Sequence, residues 1–388
     1  MVPGRPLTIG LVAGESSGDN LGAALIRALR AGIPEARFAG VAGPAMTAAG
    51  CESWAASSEL AVMGLFEVLH HLPRLLRLRR RIRGQLLALR PDVFVGIDAP
   101  EFNLHLAPAL HRAGIRTVQY VSPQVWAWRR GRARRMVQYL DLVLCLLPFE
   151  RDVYDAVGLR AAFVGHPLAD QLPLVPDEAA AQKALGLSGE TPIVAVLPGS
   201  RIGEVTRLRD DFAGAIAWLA GRRPGLQFVA PMADAGTRKL FEQALARHAP
   251  GVRVRLIDGA ARTALTAASV ALVASGTATL ETLLCKRPMV AAYRLGSLTA
   301  LALRRFGLLK APYFAQPNLL AGRLVVPELA QAQVTPERLG REIERWLDEP
   351  EAVAELQALF TTIHRQLQQG ASERAAAAIL EIARGKPP

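Results

Sequence analysis

Short runs of apolar residues alternate along the chain with longer stretches whose apolar positions recur at helical spacing. In the first half, residues 7–13, 37–41, 92–97, 117–121, 141–146 and 161–164 read as strands. Helical patterns lie at 20–30, 74–89, 104–112 and 150–157. The second half repeats the scheme, with strands at 192–197, 227–230, 252–256, 270–274 and 289–293. Its helices fall at 204–222, 237–248, 261–268 and 278–285. Continuously apolar strands between helices predict parallel sheets covered on both faces. The expected fold is α/β, with two Rossmann-like domains facing each other across a cleft. Residues 1–170 form the first domain and 171–334 the second, joined near 167–176. A helical, Ala-rich tail over 335–388 is expected to pack back towards the first domain.

Composition narrows the class. The chain has 388 residues, 51% hydrophobic and 21% charged, which excludes a disordered chain, a collagen-like repeat or a coiled coil. Net charge is +12, and all but five of the 46 cations are Arg. Two stretches, 68–91 and 102–140, each hold seven Arg and no carboxylate. Such a patch suits nucleic acid, an anionic membrane surface or a phosphorylated substrate. Cys51, Cys145 and Cys285 make neither a metal-ligand spacing nor a disulfide framework, so a reducing, cytoplasmic compartment is expected. The apolar run 9–13 is too short for a signal-peptide core, and no run of ~18 apolar residues could span a bilayer.

Ligands of open α/β sheets bind beyond the C-terminal strand ends, so the turns there carry the chemistry. Ala13-Gly14-Glu15-Ser16-Ser17-Gly18-Asp19 permits a tight turn, with Ser17 or Asp19 available as a helix cap. It lacks the dinucleotide spacing G-x-G-x-x-G. Asp98 follows an apolar strand and precedes Pro100; it suits either a general base or a helix cap. Trp126 and Trp128 stand two apart beside Arg129 and Arg130, as core or as site lining. His166 is either a structural hydrogen-bonder or a catalyst. Pro198-Gly199-Ser200-Arg201 and Ser275-Gly276-Thr277-Ala278-Thr279 each offer backbone amides at a helix start, the first with a fixed cation, and both fit phosphate. Glu281 could accept from ribose hydroxyls. No P-loop, metal-ligand cluster or G-x-S-x-G occurs.

These turns, with Ser122-Pro123-Gln124-Val125-Trp126-Ala127-Trp128 and Pro317-Asn318-Leu319-Leu320-Ala321-Gly322-Arg323, closely resemble the lipid-A-disaccharide synthase family, in the family's order. The resemblance implies a metal-independent, cofactor-free, inverting GT-B glycosyltransferase. Its donor would be UDP-2,3-diacylglucosamine, its acceptor 2,3-diacylglucosamine 1-phosphate, and its product a β-1′,6-linked disaccharide 1-phosphate plus UDP. Asp98 would then be the base. Ser200, Arg201, Ser275, Gly276, Thr277, Ala278, Thr279, Glu281, Tyr293 and Asn318 would hold the donor. Gly14, Glu15, Ser16, Ser17, Trp126, Trp128 and His166 would line the acceptor side. Gln124 departs from the small residue usual before Val-Trp in the family.

Lipid substrates imply a peripheral contact with the anionic cytoplasmic face of the inner membrane. Met63, Phe66, Leu69, Leu72, Leu75 and Leu76 run into a cluster of arginines and are the expected contact, with a core helix as the alternative. A homodimer exchanging its C-terminal tail is also expected. Another GT-B sugar-nucleotide enzyme, such as a UDP-sugar 2-epimerase, would share the layout. A basic membrane- or nucleic-acid-binding protein would use the arginines alone.

Overall fold

The computed structural model describes residues 6–60, 65–125, 130–296 and 312–385, with side chains undescribed at 65–72 and 130. The chain divides into two compact units, residues 1–170 with 367–388, and residues 171–366.

The first unit holds a seven-stranded parallel sheet. Its strands are β1 (Thr8–Ala13), β2 (Arg37–Ala42), β3 (Cys51–Ala56), β4 (Val93–Ile97), β5 (Arg116–Tyr120), β6 (Leu142–Cys145) and β7 (Ala161–Phe163), in the order β3-β2-β1-β4-β5-β6-β7. β3 is absent from the sequence-predicted set because its Glu52 and Ser53 interrupt the apolar run at an exposed sheet edge. The central strands β1 and β4 are buried throughout, as a sheet covered on both faces requires.

The second unit repeats the design with β8 (Ile193–Leu197), β9 (Gln227–Met232), β10 (Val254–Asp258), β11 (Val270–Ala274), β12 (Met289–Tyr293) and β13 (Glu328–Ala330), ordered β10-β9-β8-β11-β12-β13. All its pairings are parallel. In each sheet the strand order reverses once, between β1 and β4 and between β8 and β11. Those reversals are the switch points at which such sheets open a crevice for ligands.

The tail, expected to pack back towards the first domain, is shared between the two units. Helix Pro336–Asp348 belongs to the second unit, where Leu339, Ile343 and Trp346 are buried and Trp346 Nε1 donates to the Met289 carbonyl at 3.2 Å. Its apolar stripe is a cover for β11 and β12. Only the last helix, Ala371–Ala383, belongs to the first unit. There Ala375, Ala376 and Ile379 share a core with Leu25, Ile26 and Leu29 of helix Glu15–Gly32, the small alanines allowing close approach. Asp170 fixes its start, accepting from the backbone N–H of Gly370 at 3.0 Å and of Ala371 at 2.7 Å. No helix among the described residues is long and apolar enough to cross a membrane.

Candidate functional site

At the first switch point, the ends of β1, β4 and β5 each carry a non-glycine residue in the left-handed region. These are Glu15 (φ 54°), Asp98 and Ala99 (φ 52° and 38°) and Val121 (φ 74°). Each such residue costs of order 1–3 kcal/mol and persists only where its surroundings over-determine it. Here they do. The Asp98 carbonyl accepts from Asn103 Nδ2 at 2.8 Å and from Gln119 Nε2 at 3.0 Å, while the Asp98 N–H donates to Tyr120 O at 2.8 Å. Gln119 Nε2 also reaches the Val121 carbonyl at 3.2 Å. One amide on each of two neighbouring elements thus holds the turn that presents the Asp98 side chain.

The first turn closes against the same residues. A Cβ at Gly14 would lie 2.7 Å from Ala99 Cβ, so only glycine lets the ends of β1 and β4 approach this far. Ser16 and Ser17 are exposed beside it. Neither Ser17 nor Asp19 caps the Glu15–Gly32 helix, contrary to the sequence reading. Asp19 turns away and caps helix Pro44–Ala48 instead, accepting from the N–H groups of Gly43, Ala45 and Met46 at 2.8–3.0 Å. His166 behaves as a structural acceptor: its Nδ1 takes the Leu168 N–H at 3.2 Å. Although its edge still reaches solvent, desolvation by the surrounding protein pushes the imidazole down to about 4.

At the second switch point, Gly199 adopts φ 129° after β8, a conformation that L side chains rarely take. It brings Ser200 and Arg201 to the start of helix Ile202–Arg222. Both already hold a carboxylate. Glu204 accepts from Ser200 N–H at 3.3 Å and from Arg201 Nη1 at 3.2 Å. After β11, Gly276 stands at the N-cap of helix Thr277–Leu284 with no side-chain cap, and a Cβ there would meet nothing within 4 Å. Of the amides opening that helix, that of Thr279 donates to Gly276 O at 3.1 Å. Glu281 lies one turn on, half-buried, paired with Arg262 at 3.4 Å.

The family model described as lipid-A-disaccharide synthetase matches residues 9–382. A lipid-A-disaccharide synthase of Xanthomonas campestris pv. campestris (strain 8004) is 51% identical over 386 residues, covering 98% of this chain and 88% of that one. That of Sodalis glossinidius (strain morsitans) is 51% identical over 378 residues, covering 97% and 98%. The chain belongs to the lipid-A-disaccharide synthase family. Among solved structures, a UDP-GlcNAc 2-epimerase from Neisseria meningitidis, bound to UDP-GlcNAc, aligns with a TM-score of 0.64 at 11% identity, covering 97% of this chain and 100% of that one. The calicheamicin glycosyltransferase CalG4 aligns with a TM-score of 0.55 at 17% identity, covering 99% and 100%. These last likenesses bear on the fold alone, which is of the GT-B type.

Within this synthase-family chain, two expected donor contacts have side chains committed elsewhere. Asn318 is fully buried: its Oδ1 accepts from the N–H groups of Val325 and Val326, and its Nδ2 donates to Val326 O and Glu328 Oε1. With both ends of the amide engaged, it ties the loop 318–328 together. Thr279 is buried too, its hydroxyl donating to Gly276 O at 2.8 Å and accepting from Gln316 N–H. Ser275 donates to Phe314 O at 3.1 Å, whereas Thr277 is exposed and Ala278 half-buried. Tyr293, at the end of β12, packs its ring 5.7 Å from that of Phe314, and burial raises its phenol above the ordinary range.

Sequence reasoning missed three organising residues. Asn103 and Gln119 were visible only as amides amid apolar neighbours, and Glu328 as an acid opening a short strand. Glu328 accepts from Phe314 N–H, Ala315 N–H and Asn318 Nδ2, holding the residues that follow the undescribed 297–311. Trp126, Trp128 and Met63 lie outside the described residues, as do the side chains of Phe66, Leu69 and Leu72. In helix Leu65–Leu89, Leu75 and Leu76 are half-buried, while Leu78, Ile82 and Leu86 enter the core beside Phe94 and Leu106. The core alternative therefore holds for the second half of that helix. A broad concavity of about 670 Å³ at the ends of β2 and β3, lined by Ala42, Thr47, Trp54 and neighbours, contains none of the predicted site residues.

Proposed function

We propose that this chain makes the lipid A disaccharide: it transfers the 2,3-diacylglucosaminyl group of a UDP donor to the 6-hydroxyl of 2,3-diacylglucosamine 1-phosphate. Family membership over residues 9–382, with candidate groups at both switch points, carries the reading. The match does not favour the 2-epimerase or the non-catalytic alternatives. Asp98 takes the proton from the acceptor hydroxyl as its oxygen attacks the anomeric carbon from the face opposite UDP. The bond from that carbon to the UDP oxygen breaks, and its electron pair leaves with the β-phosphate. Such a base contributes ~10²–10⁴-fold. Arg201, the Ser200 amide and the amides opening helix Thr277–Leu284 stabilise the developing charge, the role a metal ion plays in other transferases. Glu281 accepts from the ribose, and Tyr293 closes the nucleotide side.

The substrates are lipids, so the protein works at the cytoplasmic face of the inner membrane, through the first turns of helix Leu65–Leu89. Two chains pair by exchanging helix Ala371–Ala383. The decisive assay follows disaccharide 1-phosphate and UDP formed from the two purified substrates in detergent, with and without EDTA. Absence of that product, or its loss on chelation, overturns the reading.

A further inference from the structure

Helices Leu65–Leu89 and Pro100–Arg112 pack on each other in the first unit. At their junction is a small cavity of about 130 Å³, lined by Leu76, Arg79, Arg80 and Arg83 of the first helix and His105 of the second. The helical repeat explains the lining: positions i, i+3, i+4 and i+7 form one stripe, beside the Leu78, Ile82 and Leu86 stripe that enters the core. The burial of that second stripe anchors the arginines on a fixed surface.

Of the other arginines of this helix, two have protein partners and Arg77 has none among the described residues. Arg74 pairs with Glu59 at 3.2 Å, and Arg81 donates to the Trp54 carbonyl at 3.4 Å. Arg79, Arg80 and Arg83 have no hydrogen-bond or ion-pair partner among the described residues. The carboxylate one turn before His105, Glu101, pairs with Arg132 at 2.6 Å. His105 directs Nδ1 to the Glu101 carbonyl at 2.7 Å; the carbonyl only accepts, so Nδ1 carries a proton and Nε2 is the ring's remaining polar atom. Three guanidinium groups around one concavity repel one another unless an anion sits among them.

We propose that this cavity binds a phosphomonoester. Guanidinium forks match phosphate oxygens two at a time, and a monoester brings three terminal oxygens and close to two charges, against one charge for a diester. About 130 Å³ is the room of roughly four waters, enough for one tetrahedral anion and too small for a nucleotide. The group can belong to a soluble sugar phosphate or to a lipid headgroup such as phosphatidic acid. Asp98 is not among the residues that line the cavity, and the inference does not depend on the role of that residue.

The test compares two double variants of the full chain that lose equal charge from the same helix. Arg79→Gln with Arg83→Gln strips the cavity, and Arg77→Gln with Arg81→Gln leaves its lining intact. Titration calorimetry with glucosamine 1-phosphate and flotation with phosphatidic acid vesicles in phosphatidylcholine supply the probes. Phosphatidylglycerol vesicles of matched surface charge supply the diester control. The cavity variant should lose about tenfold or more in affinity for a phosphomonoester, the control less than about twofold. His105→Gln should weaken binding as well, by a change too small to threaten the fold. Binding of the soluble probe that the cavity variant loses identifies a sugar phosphate; such a loss confined to phosphatidic acid vesicles identifies a headgroup. Equal losses in the two double variants, equal binding to phosphatidic acid and phosphatidylglycerol, or no binding to either phosphomonoester overturns the proposal. Asp98→Asn should bind phosphatidic acid vesicles as wild type, so a failed catalytic assignment leaves this result readable.

Discussion

The side-chain amide of Asn103 donates to the main-chain carbonyl of Asp98 at 2.8 Å, across the start of the helix that Asp98 precedes. It shares that acceptor with Gln119, and it is itself 1% exposed. The left-handed backbone at Asp98 and Ala99 is therefore held by side chains that need not touch substrate.

Replacing Asn103 tests that hold. Asn103→Ala should lower kcat by roughly 10–100-fold with KM little changed, because a small misplacement of a catalytic group costs rate more than binding. Loss of a buried hydrogen bond should cost about 1–3 kcal/mol in urea unfolding. A kcat within twofold of wild type would show that Gln119 suffices.

Asp98 and Arg201 should separate chemistry from binding. Asp98→Asn is expected to lose ~10²–10⁴-fold in turnover and to keep UDP affinity. Arg201→Ala should weaken UDP itself, by about tenfold for one charge-assisted phosphate contact. Calorimetry with UDP reads both. Unchanged affinity in Arg201→Ala would move the diphosphate away from the turn after β8.

Glu204 occupies the donors that a diphosphate needs, Ser200 N–H and Arg201 Nη1. Glu204→Gln removes the competing charge and should tighten UDP by a few-fold, with a steeper salt dependence than the wild type shows. Weaker UDP binding in this variant would mean that the carboxylate organises the turn rather than competing with the ligand.

His166 links stability to pH. Its imidazole is pushed down to about 4 by desolvation, from an ordinary 6.5. Between those values the unfolded chain binds the proton and the folded chain does not. Stability is therefore full above about 6.5 and declines as pH falls towards 4, by about 3 kcal/mol in total. Urea midpoints across that range should fall with pH in the wild type and flatten in His166→Asn, which keeps an acceptor for Leu168 N–H. Parallel slopes in both proteins would assign the acid sensitivity to other groups.

Asp170 ties helix Ala371–Ala383 to the first unit. Asp170→Ala should cost about 0.5–2 kcal/mol and speed amide exchange over residues 371–383 before the β-sheets respond. Exchange equal to wild type would mean that the alanine packing alone holds the helix. Light scattering at micromolar concentration addresses its exchange between chains; a monomer throughout would count against it.

Most of both sheets was legible because a parallel strand covered on both faces needs an unbroken apolar run, and β1, β4, β8 and β11 supply one. β3 and β13 escaped notice, being edge strands whose polar residues meet solvent or bind loops. The turns with chemical content were equally visible, since glycines, serines and charges stand out after such runs. What the turns do depended on the order of strands. Only the pairing of β1 with β4 and of β8 with β11 puts Asp98 and the Ser200 and Gly276 turns at switch points. Local spacing also could not reveal that Asn318 and Thr279 face inward, that Asp19 caps a helix 25 residues on, or where the tail changes units. A polar side chain has the same local sequence whether it waits for a ligand or satisfies a buried backbone group. The distant partner decides, and only the folded chain brings that partner near.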